Sequence, residues 1–331
     1  MISNEPTKMS PLPGVSVVIP AYNYERFLKQ AIESALKQDY PMFEIVVVDD
    51  GSTDQTAELV ATLCRTTDRI RYIYQKNAGL PAARNTGIRE AKFDYIGFLD
   101  ADDLWLPNLL SRAMESFAKL PEEFAIVACR SEHIDAHGAS LNLKKIVAGQ
   151  PQEITCRDIL LKTRFSPSSV VVKRSVLIEC GCFDVTLRSS EDRDMWIRVA
   201  ACHRVMLNPE RLMLIRLHPV SMSTHADRMK LNARKVFKKS YCDSLVPKLD
   251  FVFWLRVVSF AYFQTAWMYR GEGRRGKALR EMFLSILTWP FFLQPRKLNE
   301  PPFFRLRALL RFIREIGNQK FHRQENLNSP A

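Results

Sequence analysis

Read from the N-terminus for its hydrophobic and polar positions, the chain gives its first strong signal at VSVVIP, residues 15–20, a short β-rich apolar run. From about Glu25 to Lys37, Leu28, Ile32, Ala35 and Leu36 fall on one helical face. FEIVVVDD, residues 43–50, is a second apolar run without alternation. Strands of that kind joined through a helix describe a βαβ unit in a parallel sheet buried on both faces. GSTDQT then supplies a turn glycine and a capping box, Ser52 with Gln55, opening a helix to about Cys64. IRYIY (70–74) is a third strand, Pro81 starts a helix in LPAARNTGIREA, and DYIGFL (94–99) is a fourth strand. The alternation delivers Asp49 with Asp50, and Asp100 with Asp102, to strand C-termini, where open α/β sheets bind ligands.

Beyond residue 120 the pattern is less regular. EFAIVACR, SSVVVKRS and RLMLIRLH read as strands, and Asp192 to Cys202 reads as a helix with Trp196, Ile197 and Val199 on its apolar side. From Leu231 onward everything reads as helix, broken at RGEGRRG and around Pro290 and Pro301. Residues 251–269, FVFWLRVVSFAYFQTAWMY, approach the length of a membrane span, but Arg256, Ser259, Gln264 and Thr265 interrupt it. Paired through a GEG turn with RRGKALREMFLSILTWP, this segment predicts a helical hairpin.

Composition narrows the class. An apolar content of 47% and a charged content of 25% are those of a soluble globular protein. MISNEPTKMSPLPG has neither an apolar h-region nor a cleavage pattern, so residues 1–14 are expected to form a flexible tail, with no signal peptide and a cytoplasmic location. Seven scattered cysteines argue for reduced thiols over a disulfide framework. The net charge of +12 is uneven: from Arg228 on there are 21 Lys and Arg against 7 Asp and Glu, and before it 27 against 29. A basic C-terminal third faces either nucleic acid or anionic lipid, and composition alone does not choose.

The candidate chemistry centres on YIGFLDADDLW, residues 95–105. Crowded carboxylates raise one another's pKa unless a cation or donor sits among them. A helix start with Pro107 at its first position accounts for Asp103 alone. Asp100 and Asp102 remain at the mouth of the strand, and such hard oxygen ligands suit Mg²⁺ or Mn²⁺ carrying phosphates. No GxGxxG follows the first strand and no GxxxxGK[ST] occurs, which removes the usual dinucleotide and P-loop readings.

With these residues laid out, the N-terminal two thirds resembles the family 2 glycosyltransferases, inverting nucleotide-sugar-dependent enzymes of the GT-A fold. The matches are VSVVIPAYNYERFLKQAIESALKQ, EIVVVDDGSTDQT, NAGLPAARNTGIREAKFDYIGFLDADD, SEDRDMWIRVA and RLHPVSMS, in order over residues 15 to about 225. The resemblance implies an α/β fold, Rossmann-like with a mostly parallel central sheet flanked by helices, and a helical C-terminal extension. It implies a catalytic domain over 15–227, with a nucleotide-binding half (15–103) and an acceptor half (104–227), followed by a basic helical region over 228–331. Pro20, Ala21 and Tyr22 match the stretch that holds base and ribose, and Asp50 the acid that accepts from the uracil imide. Arg84 and Asn85 match positions facing the diphosphate; an exposed helix residue is the other reading of Arg84. In LDADD, Asp100 is implied near the ribose, Ala101 by its backbone, and Asp102 at the metal, with His218 completing the metal shell. The base that takes the acceptor proton matches Asp192, with Glu191 as its orienting neighbour; both also fit the acidic first turn of a helix.

The expected activity is therefore transfer, with inversion, of a sugar from a nucleoside diphosphate donor to a glycan or lipid-linked acceptor in surface polysaccharide or lipopolysaccharide synthesis. The resemblance implies a UDP-sugar donor, Mn²⁺ or Mg²⁺ as cofactor, and no nucleic acid partner. The basic C-terminal helices suit docking on an anionic cytoplasmic leaflet, giving a peripheral enzyme; a packed domain with a solvated basic face is the competing reading. Two rivals remain. One is a phosphatase of the haloacid-dehalogenase type, which also sets DxD after a strand but carries Thr or Val where Leu104 and Trp105 stand here. The other is a non-catalytic membrane- or nucleic-acid-binding protein with a degenerate transferase core.

Overall fold

The computed structural model describes residues 12–141, 149–218, 225–243, 245, 250–291 and 303–327. Its elements run β1 (Val15–Ala21), α1 (Glu25–Leu36), β2 (Phe43–Asp49), α2 (Thr56–Cys64), β3 (Ile70–Tyr74), α3 (Leu80–Glu90), β4 (Tyr95–Phe98), β5 (Leu104–Trp105), α4 (Leu109–Lys119), β6 (Phe124–Ile134) and β7 (Gln152–Ile154). There follow α5 (Cys156–Leu161), β8 (Val170–Lys173), α6 (Arg174–Glu179), α7 (Glu191–Cys202), β9 (Arg204–Arg216), α8 (Ala226–Cys242), α9 (Phe251–Gly271), α10 (Arg275–Thr288) and α11 (Phe304–Leu327). Two compact units result. One comprises Met1–Ile154, Arg164–Thr186 and Cys202–Leu217, the other Thr155–Thr163, Leu187–Ala201 and His218–Ala331, so no single cut along the chain separates them.

The first unit is built on a nine-stranded sheet of order β3-β2-β1-β4-β8-β6-β9-β5, with β7 paired to β9. β1, β2, β3 and β4 are mutually parallel, whereas β8 runs antiparallel to both β4 and β6. Every residue of β1 and β2 is buried, which is why their sequences read as unbroken apolar runs. Each fully buried Val or Ile contributes roughly 1.5–3 kcal/mol. The polar exceptions are satisfied: Ser16 donates to Glu44 at 2.8 Å, and Glu44 also meets Arg71 at 3.1 Å. α3 lies against β1 at Gly87, where an added Cβ would stand 2.2 Å from Cγ1 of fully buried Val18. Valine is stiff at χ1 and cannot swing aside. Gly87→Ala gains about 1 kcal/mol of helix propensity but incurs an overpacking cost of about 1–3 kcal/mol. A lower denaturant midpoint is expected, and an unchanged or raised midpoint would show that this helix–strand contact has slack.

Two local readings change. α2 begins after Gln55, whose side chain makes no capping bond, and the Ser52 hydroxyl accepts from the backbone N–H of Asn23, so no Ser52–Gln55 capping box forms. α4 starts at Leu109, two residues beyond the first helical position expected at Pro107. β5, only two residues long, gives no sequence signal; it exists because Leu104 and Trp105 pair with Leu214 and Met213 of β9.

The second unit is helical. α9 and α10 form a hairpin turned at Gly273, which has φ of 73°. Small side chains let them close: Ser259 Oγ donates to the Ser285 carbonyl at 2.8 Å, and Ser285 Oγ returns the bond to Ser259 at 2.7 Å. α11 joins through Arg305, which donates to Ser259 Oγ at 2.6 Å, and through Ala308 and Phe312, which pack with Ala266, Tyr269 and Met282. Among the described residues no helix is long and apolar enough to cross a membrane. The sequence breaks expected at Pro301 and in most of the 1–14 tail lie outside the described residues.

Candidate active site

The C-terminal ends of β1, β2 and β4 converge on three loops, stitched together by side chains. After β1, Tyr22 is 46% exposed beside buried Pro20 and Ala21. Asn23 takes a left-handed φ of 55°, a conformation asparagine tolerates, and its Oδ1 accepts from the Thr53 N–H at 2.8 Å. Glu25 accepts from the Gln55 N–H at 2.7 Å. The first loop is thereby locked to the DDGST loop after β2.

Asp49 and Asp50 are both buried and divide the work. Asp49 accepts from the Ser52 N–H at 2.8 Å and from the Tyr72 hydroxyl at 2.6 Å; burial and this carboxylate push the Tyr72 phenol above its ordinary pKa. Asp50 accepts from Gln75 Nε2 at 2.6 Å and from the N–H groups of Ala78 and Gly79 at 2.9 and 2.8 Å. It thus shapes the NAG turn that leads into α3.

Arg84, 1% exposed, donates to Asp100 at 2.7 Å and lies over the Phe183 ring, so it is not an exposed helix residue. Asn85 clamps the Phe183 backbone from both sides, donating to its carbonyl and accepting from its N–H at 2.8 Å each. Both polar ends of that amide face Phe183. The sequence implied the diphosphate side for this residue; here its role is to fasten α3 to the segment before residue 186.

The acidic loop itself is held by residues from distant parts of the chain. Ser168 Oγ accepts from the Asp100 N–H at 3.0 Å and donates to Asp103 at 2.7 Å, while the Ser168 carbonyl accepts from Trp105 Nε1 at 2.6 Å. Arg216, buried at 2% exposure, donates through its backbone N–H to Asp103 and through Nε to the Asp102 carbonyl, at 3.1 and 3.0 Å. Its remaining nitrogens reach Gln30 Oε1 at 2.8 Å and the Ala136 carbonyl at 3.1 Å. Asp103 is therefore a buried strut in place of the helix start read from sequence, and Ala101 is buried between the two outer acids.

Charge is concentrated here. Burial, and then Asp102 and Asp100, push the Asp103 carboxyl well above the usual range. Tyr24 was not singled out by sequence reasoning, yet its hydroxyl bonds to Asp102; burial first and then Asp102, Asp100 and Asp103 push its pKa up. Arg216 was also missed, although it directly precedes the LH of the late histidine stretch. Neither residue type carries a signal of its own, since each acts through contacts with elements far away in the chain.

A divalent cation fits the chemistry of this donor set: hard, anionic oxygens whose mutual repulsion it would relieve. Among the described residues no three His, Cys, Asp or Glu side chains form a ready cage.

In the second unit, Ser190 adopts φ of 60° immediately before the acidic first turn of α7. Asn232 of α8 holds this approach by donating to Ser189 Oγ at 3.0 Å. Of the three acids in that turn, Glu191 is buried, and Asp194 is buried in ion pairs with Arg198 at 2.7 Å and Lys239 at 3.2 Å. Asp192 alone is partly open to solvent. Buried Arg193 anchors the turn by donating to the carbonyls of Ile159, Leu160 and Leu161. His218 is half-buried two residues after β9, and residues 219–223 of its motif lie outside the described residues.

Comparison with known proteins bears on this arrangement. The model of the family described as "Glycosyl transferase family 2" matches residues 16–192. An uncharacterized glycosyltransferase of Rickettsia typhi is 32% identical over 216 residues, covering 65% of this chain and 67% of its own length. The uncharacterized glycosyltransferase EpsJ of Bacillus subtilis is 43% identical over 118 residues, 36% of this chain and 34% of the relative. Among solved structures, S. aureus TarS 1–349 in complex with UDP-GlcNAc superposes with a TM-score of 0.61 at 19% identity, covering 83% of this chain and 81% of that one. The mannosyltransferase PcManGT from Pyrobaculum calidifontis, in complex with GDP-Man and Mn²⁺, gives 0.60 at 20% identity, covering 83% and 75%. At these identities the structural likeness establishes a shared fold.

Proposed function

Since the chain belongs to glycosyl transferase family 2, we propose that it transfers a sugar, with inversion, from a nucleoside diphosphate to a hydroxyl of a glycan or lipid-linked acceptor. The observation that carries this reading is the trio Asp100, Asp102 and Asp103, brought to a strand end and fastened there by Ser168 and Arg216. Arg84 offsets Asp100 and donors meet Asp103, and a cation arriving with the ligand would relieve the crowding that remains around Asp102.

The exposed Tyr22 ring offers a face for the heterocycle, and Asp49 and Asp50 fix the loops on either side of it. Arg84 places a buried guanidinium against Asp100, which sets the carboxylate's orientation and leaves positive charge close to where phosphates would lie. Asp102, with His218, would hold Mn²⁺ or Mg²⁺, and the ion supplies charge that stabilises the departing diphosphate. Asp192 takes the proton of the acceptor hydroxyl at a carboxylate oxygen, and Glu191, fixed by burial, keeps that turn in place. UDP-sugar is the proposed donor, in line with the neighbour that holds UDP-GlcNAc, although another neighbour holds GDP-Man. Surface polysaccharide or lipopolysaccharide synthesis, at the cytoplasmic face of a membrane, is the proposed setting.

A panel of UDP-, GDP- and dTDP-sugars tests the reading. One donor is expected to raise the melting temperature and to release its nucleoside diphosphate only when Mn²⁺ or Mg²⁺ is present. At a hundred times Kd the ligand adds about 2.7 kcal/mol of stability. Silence across the whole panel would favour the non-catalytic alternative, and phosphate release from generic esters the phosphatase.

A further inference from the structure

The helical unit contains a cleft that the transfer chemistry does not use. It opens between α8, α9 and α10 with a volume of about 330 Å³. That is within the range of roughly 300–1,000 Å³ typical of ligand clefts. Lys230, Arg234, Lys277 and Arg280 line it, against the two acids Asp227 and Glu281.

Both acids are already engaged. Buried Glu281 accepts from Lys230 Nζ at 2.5 Å. Asp227 accepts from the Tyr269 hydroxyl and from Arg274, and lies 3.6 Å from Lys277. Arg234 of α8 and Arg280 of α10 are left facing one cleft from two helices, with no carboxylate in ion-pair range among the described residues. An anion in the cleft would meet a guanidinium from each of two helices, and the forked donors of both match phosphate oxygens.

The surroundings of the cleft are apolar where a surface would ordinarily be polar. Leu231, at its lip, is 57% exposed. Phe283 and Leu287, three and seven residues beyond Arg280 and so on its face of α10, are 59% and 69% exposed. A cationic cleft bordered by an uncovered apolar strip matches a molecule with a phosphate at one end and a hydrocarbon chain at the other.

We propose that this cleft binds the phosphate headgroup of a lipid, with Arg234 and Arg280 gripping its oxygens and Leu231, Phe283 and Leu287 lying along its chain. The inference goes beyond the transferase reading and does not depend on it. Its test is a binding measurement that needs no sugar donor.

Full-length protein is sedimented with vesicles of phosphatidylcholine alone or mixed with phosphatidic acid, in the presence of EDTA, with inorganic pyrophosphate as soluble competitor. Binding is expected only to the phosphatidic acid vesicles. The Arg234→Gln/Arg280→Gln double variant should bind about thirtyfold more weakly, at about 1 kcal/mol for each charge lost next to an anionic surface. Both residues are exposed, so the fold should survive, and a circular dichroism melt checks this. The charge-matched control Lys29→Gln/Arg65→Gln, exposed in the sheet unit, should keep its binding. Pyrophosphate should compete with the vesicles for the parent protein. Equal loss in the control, or vesicle binding indifferent to pyrophosphate, would reduce the effect to general charge and overturn the proposal. Pyrophosphate binding lost in the double variant but without any vesicle binding would overturn it too, and would point to a free phosphate ligand.

Discussion

Asp192→Asn is expected to bind nucleotide-sugar as tightly as the parent and to turn it over about 10²–10⁴-fold more slowly. An amide keeps the size and hydrogen-bonding reach of the carboxylate but cannot take up a proton at neutral pH. The proposed role rests on the resemblance and fits the surroundings of the turn, in which Glu191 is buried, Asp194 is paired with Arg198 and Lys239, and Asp192 is partly exposed. The decisive comparison is donor Kd, by calorimetry, against kcat for transfer to the acceptor. Loss confined to kcat supports a base, whereas a weakened Kd with unchanged kcat would move Asp192 to the donor side and leave the base unassigned. Asp194→Asn provides the contrast. Breaking a buried ion pair costs about 3–5 kcal/mol, so its effect should appear in the unfolding midpoint.

Asp102→Ala should abolish the extra thermal stabilisation that Mn²⁺ gives in the presence of donor, and turnover should fall to background. The free protein responds separately, losing the bond from the Tyr24 hydroxyl at all pH values and changing its pH dependence through Asp103. Asp103 has its pKa raised by burial and by Asp102 and Asp100, so the folded state binds its proton more tightly than the unfolded chain does. Stability tied to that group is therefore present at low pH and lost as pH rises from the ordinary carboxylate range through the raised value. Removing Asp102 takes away one of the two carboxylates responsible, and the variant without ligand should lose less stability over that rise than the parent. Melting curves across pH, with and without Mn²⁺ and donor, separate the effects. A metal-dependent shift that persists in the variant would remove Asp102 from the ion.

How much of this was legible in the sequence follows from the range of the interactions. β1, β2 and β4 could be read because a strand buried on both faces must be apolar throughout, and the half-exposed edge strand β3 because its β-branched and aromatic residues give IRYIY, which coincides with it to the residue. The acids at their ends were legible for the same reason, since they interrupt such runs. What escaped was set by partners far off in the chain. Asp103 looked like a helix start until Ser168 and Arg216 were seen on its carboxylate, and Ser52 looked like a cap until Asn23 was seen on its hydroxyl. β5 has two residues and no pattern to offer. Tyr24 and Arg216 are ordinary letters in a string; one becomes a partner of Asp102 and the other a brace for its loop only after β1, β4 and β9 have come together.

Ser168 has a consequence for anyone wishing to move this chemistry elsewhere. One small residue, in a short turn ahead of β8, fastens Asp100, Asp103 and Trp105 at once. A graft of residues 95–105 into a foreign scaffold would arrive without its anchor and splay. A chimera that exchanges the loops around Tyr22 and Asp50 but keeps residues 95–105 and 166–173 from one parent should keep its acids aligned.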